Sequence, residues 1–433
     1  MKKFTFKTTA AFVMITTSIL FFRCSKNNNS TSTPTVTAPT VTTTTITFSP
    51  TAPFVAMSGG SITSAGNGTV TAYGICYSST NQNPDLTSTF TTDGHGATGA
   101  TNYVSYLNGL TPGTTYYVRA YATNSAGTAY GNLVQFTTGT ASWTSVVFTG
   151  TTTIKALSGI NFSDDNHGFA FGINTNNQVM FMSSSDGGAT WTTPSVAVTQ
   201  GNLSVTNNGG NLPVKNKSIS FTSNSTGWIT YGGDSVLTTL NGGASWALYP
   251  YPNNTLVPGE GLNSTCFTGS NTGFVAGLGI YKTTTGNSWT NVVPNSTYFN
   301  SIYFINASVG FAGSANSIVR TTDGGNTWQA FTTSAPVYGF SYANGVLFAA
   351  GSQSLLVSTD NGTTWGNKVA PATMYNVCFM SQSFGVVATS GGLYQTVDGG
   401  NTWTSINTSG AFNDVCHTSN HIFAISGTTI LRL

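Results

Sequence analysis

The sequence predicts an all-β protein in which a small β-sandwich is followed by a seven-bladed β-propeller. Three observations support this prediction. An eight-residue pattern ending in tryptophan recurs along the C-terminal two thirds of the 433-residue chain. Most copies are spaced by roughly 40 residues, which indicates one supersecondary unit copied around a ring. The chain also has 50 glycines and only 6% charged residues, which favours many tight turns between short strands.

The first 23 residues are predicted to be a signal peptide. Lys2, Lys3 and Lys7 precede an apolar stretch at 8–22 that is too short for a stable membrane span. Cys24 then begins a Thr-, Pro- and Asn-rich segment, 24–38, predicted to be a flexible tether. A lone cysteine at this place resembles the lipid-modified cysteine of bacterial lipoproteins. The resemblance implies lipidation at Cys24 and an outer-membrane location, facing the periplasm or the cell surface, with plain secretion as the alternative.

Residues 39–139 are predicted to form the sandwich. Near the end of this stretch, Leu110, Pro112, Thr114 and Tyr116 stand at alternate positions and run into a strand of period two. This approach resembles the tyrosine corner of fibronectin type III domains. The resemblance implies that the phenol oxygen of Tyr116 bonds to the backbone a few residues upstream.

The recurring pattern reads Ser/Thr-x-Asp-x-Gly-x-x-Trp. Four copies have the aspartate and two do not; their defining residues are Asp186 with Trp191, Asn241 with Trp246, Thr284 with Trp289, Asp323 with Trp328, Asp360 with Trp365, and Asp398 with Trp403. A tight Gly-rich hairpin leaves backbone N–H groups without partners, and a short acceptor side chain can satisfy them. We therefore predict a structural role for the pattern, with Asn241 and Thr284 supplying an oxygen in its place.

Between these copies a second pattern recurs, namely an apolar-x-aromatic strand, a polar turn and a Gly-apolar strand. It predicts four-stranded units with seven inner strands, at Ile160, Ile219, Thr265, Ile302, Phe340, Val377 and Val415. The last unit lacks its outer strand. The segment beginning at Trp143 is predicted to supply it, so that residues 141–433 close into a ring without free sheet edges.

The eight-residue pattern matches the Asp-box (BNR-type) repeat of sialidase-like propellers, and the whole unit is similar to the repeats of photosystem II stability and assembly factors. Sialidase chemistry, as the resemblance implies it, needs an arginine cluster and an acidic residue paired with tyrosine. Only Arg320 and Arg432 lie in the predicted ring, and Glu260 is the one glutamate of the chain. An ordinary glycosidase needs two facing carboxylates. The sequence therefore predicts a non-catalytic protein, with an outlying glycosidase as the minor alternative.

No cofactor or metal site is predicted. His417 occupies the inner-strand aromatic position of its unit and is expected in the core, not as a ligand. Cys266, Cys378 and Cys416 share one inner-strand position, so we expect unpaired buried thiols that do not face one another.

Charge argues against a nucleic-acid partner. Removing the four basic residues of the signal peptide from the 13 in the chain leaves nine against eleven acidic residues. Aromatic residues precede several inner strands on the rim opposite the Asp boxes. This rim could bind a protein or glycan ligand, or it could plug the channel; its candidates are Tyr249, Tyr251, Glu260, Tyr298, Tyr338, Tyr375 and Phe412. The predicted function is an envelope binding or adhesion platform, with an assembly or scaffolding factor as the alternative.

Overall fold

A computed structural model describes residues 35–48, 56–140, 142–150, 153–175, 179–192, 218–231, 235–250 and 261–433. Every regular element in these ranges is a β-strand, and none of them contains a helix long and apolar enough to cross a membrane. The predicted lipidation site Cys24 and the rim residues Tyr251 and Glu260 lie outside the described residues. For Tyr249 the structure describes the backbone only.

The N-terminal part consists of two sheets. Its strands are β1 (Thr40–Thr43), β2 (Thr47–Phe48), β3 (Ala56–Ser64), β4 (Ala72–Ser78), β5 (Thr89–Phe90), β6 (Thr101–Leu107), β7 (Thr115–Asn124), β8 (Gly127–Tyr130) and β9 (Val134–Thr137). In one sheet β3 pairs with β1, β2 and β6, and in the other β7 pairs with β4, β8 and β9 while β5 pairs with β4. All pairs are antiparallel.

One apolar cluster joins these two sheets. Val41 and Ile62 reach it from one sheet, and Ile75 and Val118 reach it from the other, all of them buried. The period-two alternation predicted for β7 is present in the burial of every second residue from Tyr116 to Asn124, although Tyr121 on the other face is buried as well. The Tyr116 hydroxyl accepts a hydrogen bond from the Thr111 amide at 3.0 Å, which confirms the predicted bond back to the upstream backbone.

The C-terminal part consists of repeated sheets. Its strands are β10 (Thr144–Ser145), β11 (Val147–Thr149), β12 (Ile154–Phe162), β13 (Gly168–Asn174), β14 (Val179–Ser184), β15 (Thr190–Thr192), β16 (Ile219–Phe221), β17 (Gly227–Tyr231), β18 (Ser235–Thr239), β19 (Ala247–Pro250), β20 (Ser264–Phe267), β21 (Gly273–Thr283), β22 (Trp289–Phe304), β23 (Gly310–Ser314), β24 (Ser317–Thr321), β25 (Gln329–Thr332), β26 (Val337–Ala343), β27 (Val346–Gly351), β28 (Ser354–Ser358), β29 (Gly366–Val369), β30 (Met374–Phe379), β31 (Gly385–Thr389), β32 (Gly392–Thr396), β33 (Thr404–Asn407), β34 (Asp414–His417), β35 (Ile422–Ser426) and β36 (Thr429–Arg432).

Consecutive strands pair in antiparallel order within each sheet. Four sheets follow the chain in fours, β12 to β15, β16 to β19, β26 to β29 and β30 to β33, the first with β11 added in parallel beside β15. Strands β20 to β25 form one sheet of six, because two long strands each cover two positions. In the 11-residue β21, Gly273–Ala276 pairs with β20 and Leu278–Thr283 pairs with β22, and the 16-residue β22 runs from the outer position of one unit into the inner position of the next. The predicted repeat of four strands is therefore present, with one unbroken passage between units.

The innermost strands form a ring among the described residues. In the order β12, β16, β20, β22, β26, β30 and β34 each contacts the next, and β34 contacts β12. The remaining strands of each sheet follow outward from these. The apolar residues of each sheet pack against those of its neighbours, so the core lies between sheets.

The two ends of the repeat region meet in one sheet. β10 pairs with β36, with Thr144 opposite Arg432 and Ser145 opposite Leu431, and the order β10–β36–β35–β34 completes four strands. Trp143 packs partly buried against the apolar cluster of this sheet and its predecessor. The pairing predicted from the missing outer strand is confirmed.

Stacked aromatic rings hold neighbouring sheets together. The second residue of β13, Phe169, stacks on Phe221 of the next inner strand with ring centroids 3.5 Å apart. The same contact joins the last sheet to the first, where Phe423 stacks on Phe162 at 4.3 Å. Glycine faces the inner-strand ring in most units; a Cβ at Gly227 would lie 2.5 Å from the ring of Phe221.

The prediction that His417 packs in the core is wrong. His417 pairs with Ile422, whereas the equivalent Phe221 pairs with Gly227. The Ile422 side chain is buried and occupies the space that glycine leaves open for a ring. His417 is consequently exposed, at a wall of the central cavity.

Candidate functional site

The aspartate of each clean Asp box is a hydrogen-bond acceptor for its own hairpin. The Oδ1 atom of Asp398 accepts from the amides of Asn401 (3.0 Å) and Thr402 (2.9 Å) and from the hydroxyl of Thr396 (2.8 Å). Its Oδ2 atom accepts from the Thr402 hydroxyl at 2.7 Å. Thr396 in turn accepts from the Gly400 amide at 2.8 Å. The carboxylate is thus committed to the turn, as the pattern predicted.

The pKa of each Asp-box carboxyl reflects this commitment. Partial desolvation raises the pKa of Asp398, but the hydroxyl and amide of Thr402 and the Thr396 hydroxyl outweigh it and lower the pKa to about 2. Asp186 has the same balance, with a pKa of about 2. A permanently ionised, saturated carboxylate is a poor general acid or base near neutral pH.

The Asn241 copy confirms that charge is dispensable in this hairpin. Its Oδ1 atom accepts from the Ser245 amide at 2.8 Å and from the Thr239 hydroxyl at 3.0 Å. Its Nδ2 atom donates to the Ser245 hydroxyl at 2.8 Å, which reverses the direction of the bond that an aspartate would accept.

In the worn copy before Trp289 the acceptor is Thr285, not Thr284 as predicted. Thr283 bonds the Gly286 amide at 2.9 Å, and the Thr285 hydroxyl accepts from the Ser288 amide at 3.1 Å. Thr283 lies opposite Trp289, so this hairpin is one residue shorter than its relatives and every role moves one position along the sequence.

The tryptophans anchor the hairpins against the inner-strand rings. Trp191, Trp246 and Trp289 are buried, and each meets the inner-strand phenylalanine of its own unit edge to face. Trp328, Trp365 and Trp403 are half-buried. The indole of Trp191 donates to the Gly188 carbonyl at 3.2 Å, which ties the ring to the turn.

On the face that carries the Asp boxes, basic side chains form hydrogen bonds between neighbouring units. Lys282 donates to Asn326 (2.9 Å), Arg320 to the Asn361 carbonyl (2.7 Å) and Lys368 to the Gly399 carbonyl (2.7 Å). Each acceptor belongs to the Asp-box hairpin of the following unit. Arg432 contacts His421 at 2.7 Å. Neither arginine of the ring lines the central cavity, so the arginine cluster that a sialidase needs is absent from the described residues.

A cavity of about 320 Å³ lies on the ring axis, lined by the inner strands. Because strands alternate in direction, the Asp boxes lie at the end where the inner strands finish. The opposite end, where the inner strands begin, carries Tyr338, Tyr375, Asn263 and Asn300; we call this end the mouth. The volume of the cavity is at the lower limit for ligand sites.

Polar side chains of the cavity wall link each inner strand to the next. At the first wall position, the hydroxyl of Ser264 accepts from the Ile302 amide at 3.1 Å, and Ser218 accepts from the Thr265 amide. At the second wall position, Asn161 accepts from the Phe221 amide at 3.1 Å. The wall is therefore a hydrogen-bonded belt that holds the ring together.

Asp414 makes the same link between the last unit and the first. Its Oδ2 atom accepts from the Ile160 amide at 3.2 Å, and its Oδ1 atom accepts from Asn376 (2.5 Å) and from the Val415 amide (2.9 Å). Asp414 is buried. Neither Asp414 nor Asn376 was predicted from the sequence to be a site residue. The signal in the sequence was that Asp414 and Asn376 stand at an inner-strand position where the other units have serine or glycine.

The rim candidates divide into three groups. Tyr338 and Tyr375 lie at the mouth, half-buried, and desolvation together with Tyr375 raises the pKa of Tyr338. Tyr298 is 40% exposed in β22, and its hydroxyl contacts Asn263 at 3.1 Å. Phe412, expected on the rim, is instead buried in the apolar cluster of the last two sheets, because its backbone pairs with Thr389. Its ring is not available to a ligand.

The cavity wall also contains the three repeat cysteines. All four described cysteines are unpaired, which confirms the predicted free thiols. Only Cys378 of the three is buried, while Cys266 and Cys416 are partly exposed, and all three face the cavity. The three thiols thus line one cavity from three different inner strands. Desolvation raises the pKa of Cys266 to about 11 and that of Cys378 further, so neither is a ready nucleophile.

Carboxylates do not pair in this cavity. Asp414 is the one acidic residue of its described lining. Asp164 bonds the amides of Asn166 and His167 in its own turn, and Asp165 bonds Ser419, so both act in hairpins as predicted. No group of three or more His, Cys, Asp or Glu residues among the described residues is arranged to hold a metal ion.

Comparison with known proteins places this architecture among β-propellers. The family model for photosynthesis system II assembly factor YCF48 matches residues 134–301. A solved structure of YCF48 bound to a D1 peptide is similar to 67% of this chain and 96% of its own, with a TM-score of 0.53 and 18% identity. The Pan2 WD40 domain of Neurospora crassa covers 67% of this chain and 94% of its own, with a TM-score of 0.47 and 12% identity. No curated protein matches the chain in sequence.

Proposed function

We propose that this chain is a non-catalytic envelope protein whose propeller is a docking platform for a segment of a partner protein, with assembly or scaffolding as its role. The axial cavity is the observation that carries the proposal. Its mouth presents phenol, amide and hydroxyl groups, which recognise extended polypeptide by hydrogen bonds and ring contacts. Its described lining has one carboxylate and no Lys or Arg, which leaves a hydrolase without its second acid.

The proposed organisation has four parts. A signal peptide at 1–23 precedes a lipidated Cys24 with its tether at 24–38, a fibronectin type III-like domain at 39–139 and a seven-bladed Asp-box propeller at 141–433. The cyclic contacts of the inner strands and the joint sheet of β10 and β36 support the blade count. The single apolar cluster of the N-terminal sheets and the Tyr116 bond support the fibronectin-like domain.

Similarity to an assembly factor favours a protein ligand. The family model that matches the first part of the repeat region is one of assembly factors, and the similar solved structure is a complex with a peptide. For this chain we infer a polypeptide segment of another envelope protein as ligand. The proposed location is the outer membrane, on its periplasmic or outer side, reached by lipidation of Cys24.

Two other occupants are outcomes of the test. A glycan could stack on Tyr338 and Tyr375, as an adhesion role would require. A glycosidase would need a second carboxylate near Asp414; the sequence offers Glu260, which lies outside the described residues.

Affinity capture tests the proposal. The mature chain, tagged at its C-terminus, is used as bait in a detergent extract of the native envelope after chemical crosslinking. We expect one partner protein to be captured, and a Tyr338→Ala/Tyr375→Ala variant to capture at least about ten-fold less, the loss of roughly 1.4 kcal/mol that two ring contacts provide. Tyr106→Ala, on an exposed face of the N-terminal sheets, is the matched control.

Two results would contradict this function. Equal capture by the double variant places the partner elsewhere, and binding of the mature chain to a glycan array with loss in the same variant assigns a glycan ligand. Membrane attachment is tested separately: Cys24→Ser is expected to release the chain into the soluble fraction, and continued attachment would refute the lipid anchor.

A further inference from the structure

Side chains in the wall of the axial cavity use an acceptor atom to link the inner strands and keep a donor unused. The Ser220 hydroxyl accepts from the Phe267 amide at 3.1 Å, and the Asn161 side-chain oxygen accepts from the Phe221 amide at 3.1 Å. Among the described residues, no acceptor receives the Ser220 proton or the Asn161 side-chain N–H groups. Both residues line the cavity, on the adjacent strands β12 and β16. Two neighbouring donors therefore remain for a ligand.

Unused hydroxyl groups continue along the neighbouring inner strands. At the first wall position, Ser264 accepts the Ile302 amide and donates to no residue that the structure describes. The Ser301 hydroxyl is buried, with the residue 5% exposed, and has no hydrogen-bond partner in the described part of the chain. Ser341 accepts the Phe379 amide at 2.8 Å through its oxygen. These groups follow one arc of the ring, from β12 through β16, β20 and β22 to β26.

The remaining arc does not offer a charged group to a ligand. The two oxygens of Asp414 accept N–H bonds from Ile160, Asn376 and Val415, so a cation finds no unengaged carboxylate oxygen there. No Lys or Arg contributes to the described lining, and desolvation lowers the pKa of His417 and favours its uncharged ring. Because taking an ionised side chain out of water without a partner is costly, the cavity favours an uncharged ligand.

We infer that the cavity receives one uncharged amide side chain, glutamine or asparagine, from the partner segment, with its carbonyl oxygen accepting from Ser220 and Asn161. This inference rests on the proposed docking function and specifies its ligand. A carbonyl oxygen has two lone pairs, so it can accept from donors on two adjacent strands. The second wall position lies two residues farther from the mouth than the first, roughly 7 Å along a strand, which favours glutamine as the longer side chain. The volume of about 320 Å³ accommodates one such side chain.

The inference is tested with three matched peptides on the full mature chain. The probes are acetyl-Gly-Tyr-Gln-Tyr-Gly-amide and the same peptide with glutamate or methionine in place of glutamine, measured by isothermal titration calorimetry. Glutamate adds a charge at nearly the same shape, and methionine removes the carbonyl at similar length. We expect the glutamine peptide to bind at least about ten-fold more tightly than either. An equal or tighter glutamate or methionine peptide, or no binding of the glutamine peptide at millimolar concentration, would overturn the inference.

Exchanging serine and cysteine at the second wall position changes the donor and keeps the link between strands. Cys266 stands at this position on the strand after that of Ser220, and its sulfur accepts from the Phe304 amide, so both residue types fit the fold. A thiol is the weaker donor. We expect Ser220→Cys to lower glutamine-peptide affinity several-fold without changing methionine-peptide affinity, and Cys266→Ser to raise glutamine-peptide affinity several-fold. Ser405→Cys, exposed on the outer strand β33, is the matched control.

Unchanged glutamine-peptide affinity in both cavity variants would refute the site. Circular dichroism and tryptophan emission of each variant establish the native fold. If Ser220→Cys fails to fold, Cys266→Ser decides alone, because it introduces the residue that other units already have at this position.

The two proposals fail in different ways. If the envelope partner is captured through Tyr338 and Tyr375 but the three peptides bind equally, the docking function stands and the amide ligand is wrong. If the glutamine peptide binds as expected but no envelope protein is captured, the cavity chemistry stands and the docking function is wrong.

Discussion

Replacing Asp398 separates the hydrogen bonds of an Asp box from its charge. All three donors from Thr396, Asn401 and Thr402 to Oδ1 can be satisfied by one oxygen, and only the Thr402 hydroxyl uses Oδ2. Asparagine keeps the first oxygen, and its amide can donate to the Thr402 hydroxyl, as Asn241 does to Ser245. Alanine removes every one of these bonds.

The magnitudes follow from this geometry. Lowering the pKa from about 4 to about 2 corresponds to roughly 2.7 kcal/mol between the two protonation states. Solvent screening reduces that figure because the carboxylate is partly exposed. We expect Asp398→Ala to lower the free energy of unfolding by about 2 kcal/mol and Asp398→Asn by about 0.5 kcal/mol.

The pH dependence gives a second signature. The folded-state pKa of Asp398 lies below the unfolded value of about 3.9, so the ionised carboxylate stabilises the fold above pH 4. This contribution is lost as the pH falls from about 4 through about 2. The stability difference between the native chain and Asp398→Ala should therefore shrink in that window.

Urea unfolding followed by tryptophan fluorescence measures these differences, with the slope of the transition compared between variants. If asparagine costs as much as alanine, charge and not hydrogen bonding holds the hairpin. If alanine costs nothing, the Asp box has no structural role at this position, and the reasoning is refuted.

Three further predictions concern the ring. Phe423→Ala should lower the free energy of unfolding, measured with urea, by about 3 to 5 kcal/mol, because its buried ring stacks on Phe162 where the last sheet meets the first. Phe331→Ala, at an exposed position, should lower it by under about 1 kcal/mol. Equal losses would contradict the role of the stacked rings in closing the ring. Thiol titration of a chain lacking the first 24 residues, unfolded without reductant, should give four thiols, and two or fewer would show a disulfide. Lys368→Met should cost under about 1 kcal/mol and leave partner capture unchanged, and loss of capture would place binding on the Asp-box face.

Sequence periodicity predicted much of the ring, because each unit repeats its buried positions. The gap after Val415 and the register of Trp143 predicted that the two ends meet in one sheet, as β10 and β36 do. The structural role of a residue was not predictable where a hairpin is one residue shorter than its relatives or where a single residue departs from the repeat. The hairpin before Trp289 is a residue shorter, which moves the acceptor from Thr284 to Thr285, and Ile422 in place of glycine displaces His417.

The site was predicted less well than the fold. Aromatic residues before inner strands indicated the mouth, where Tyr338 and Tyr375 lie, but the same pattern gave Phe412, which is buried. Whether such a residue points inward depends on the backbone pairing of its link, which sequence alone does not reveal. The wall residues Asp414 and Asn376 were not identified because their partners come from neighbouring units far away in the chain.

Site-specific photocrosslinking in the native envelope tests the docking claim most directly. A photoreactive phenylalanine analogue is placed at Tyr375, at the mouth, and separately at Asn401, on an Asp-box hairpin. Binding at the mouth predicts a covalent adduct with one envelope protein from position 375 and none from position 401. An adduct from position 401 alone, or from neither position, would contradict it.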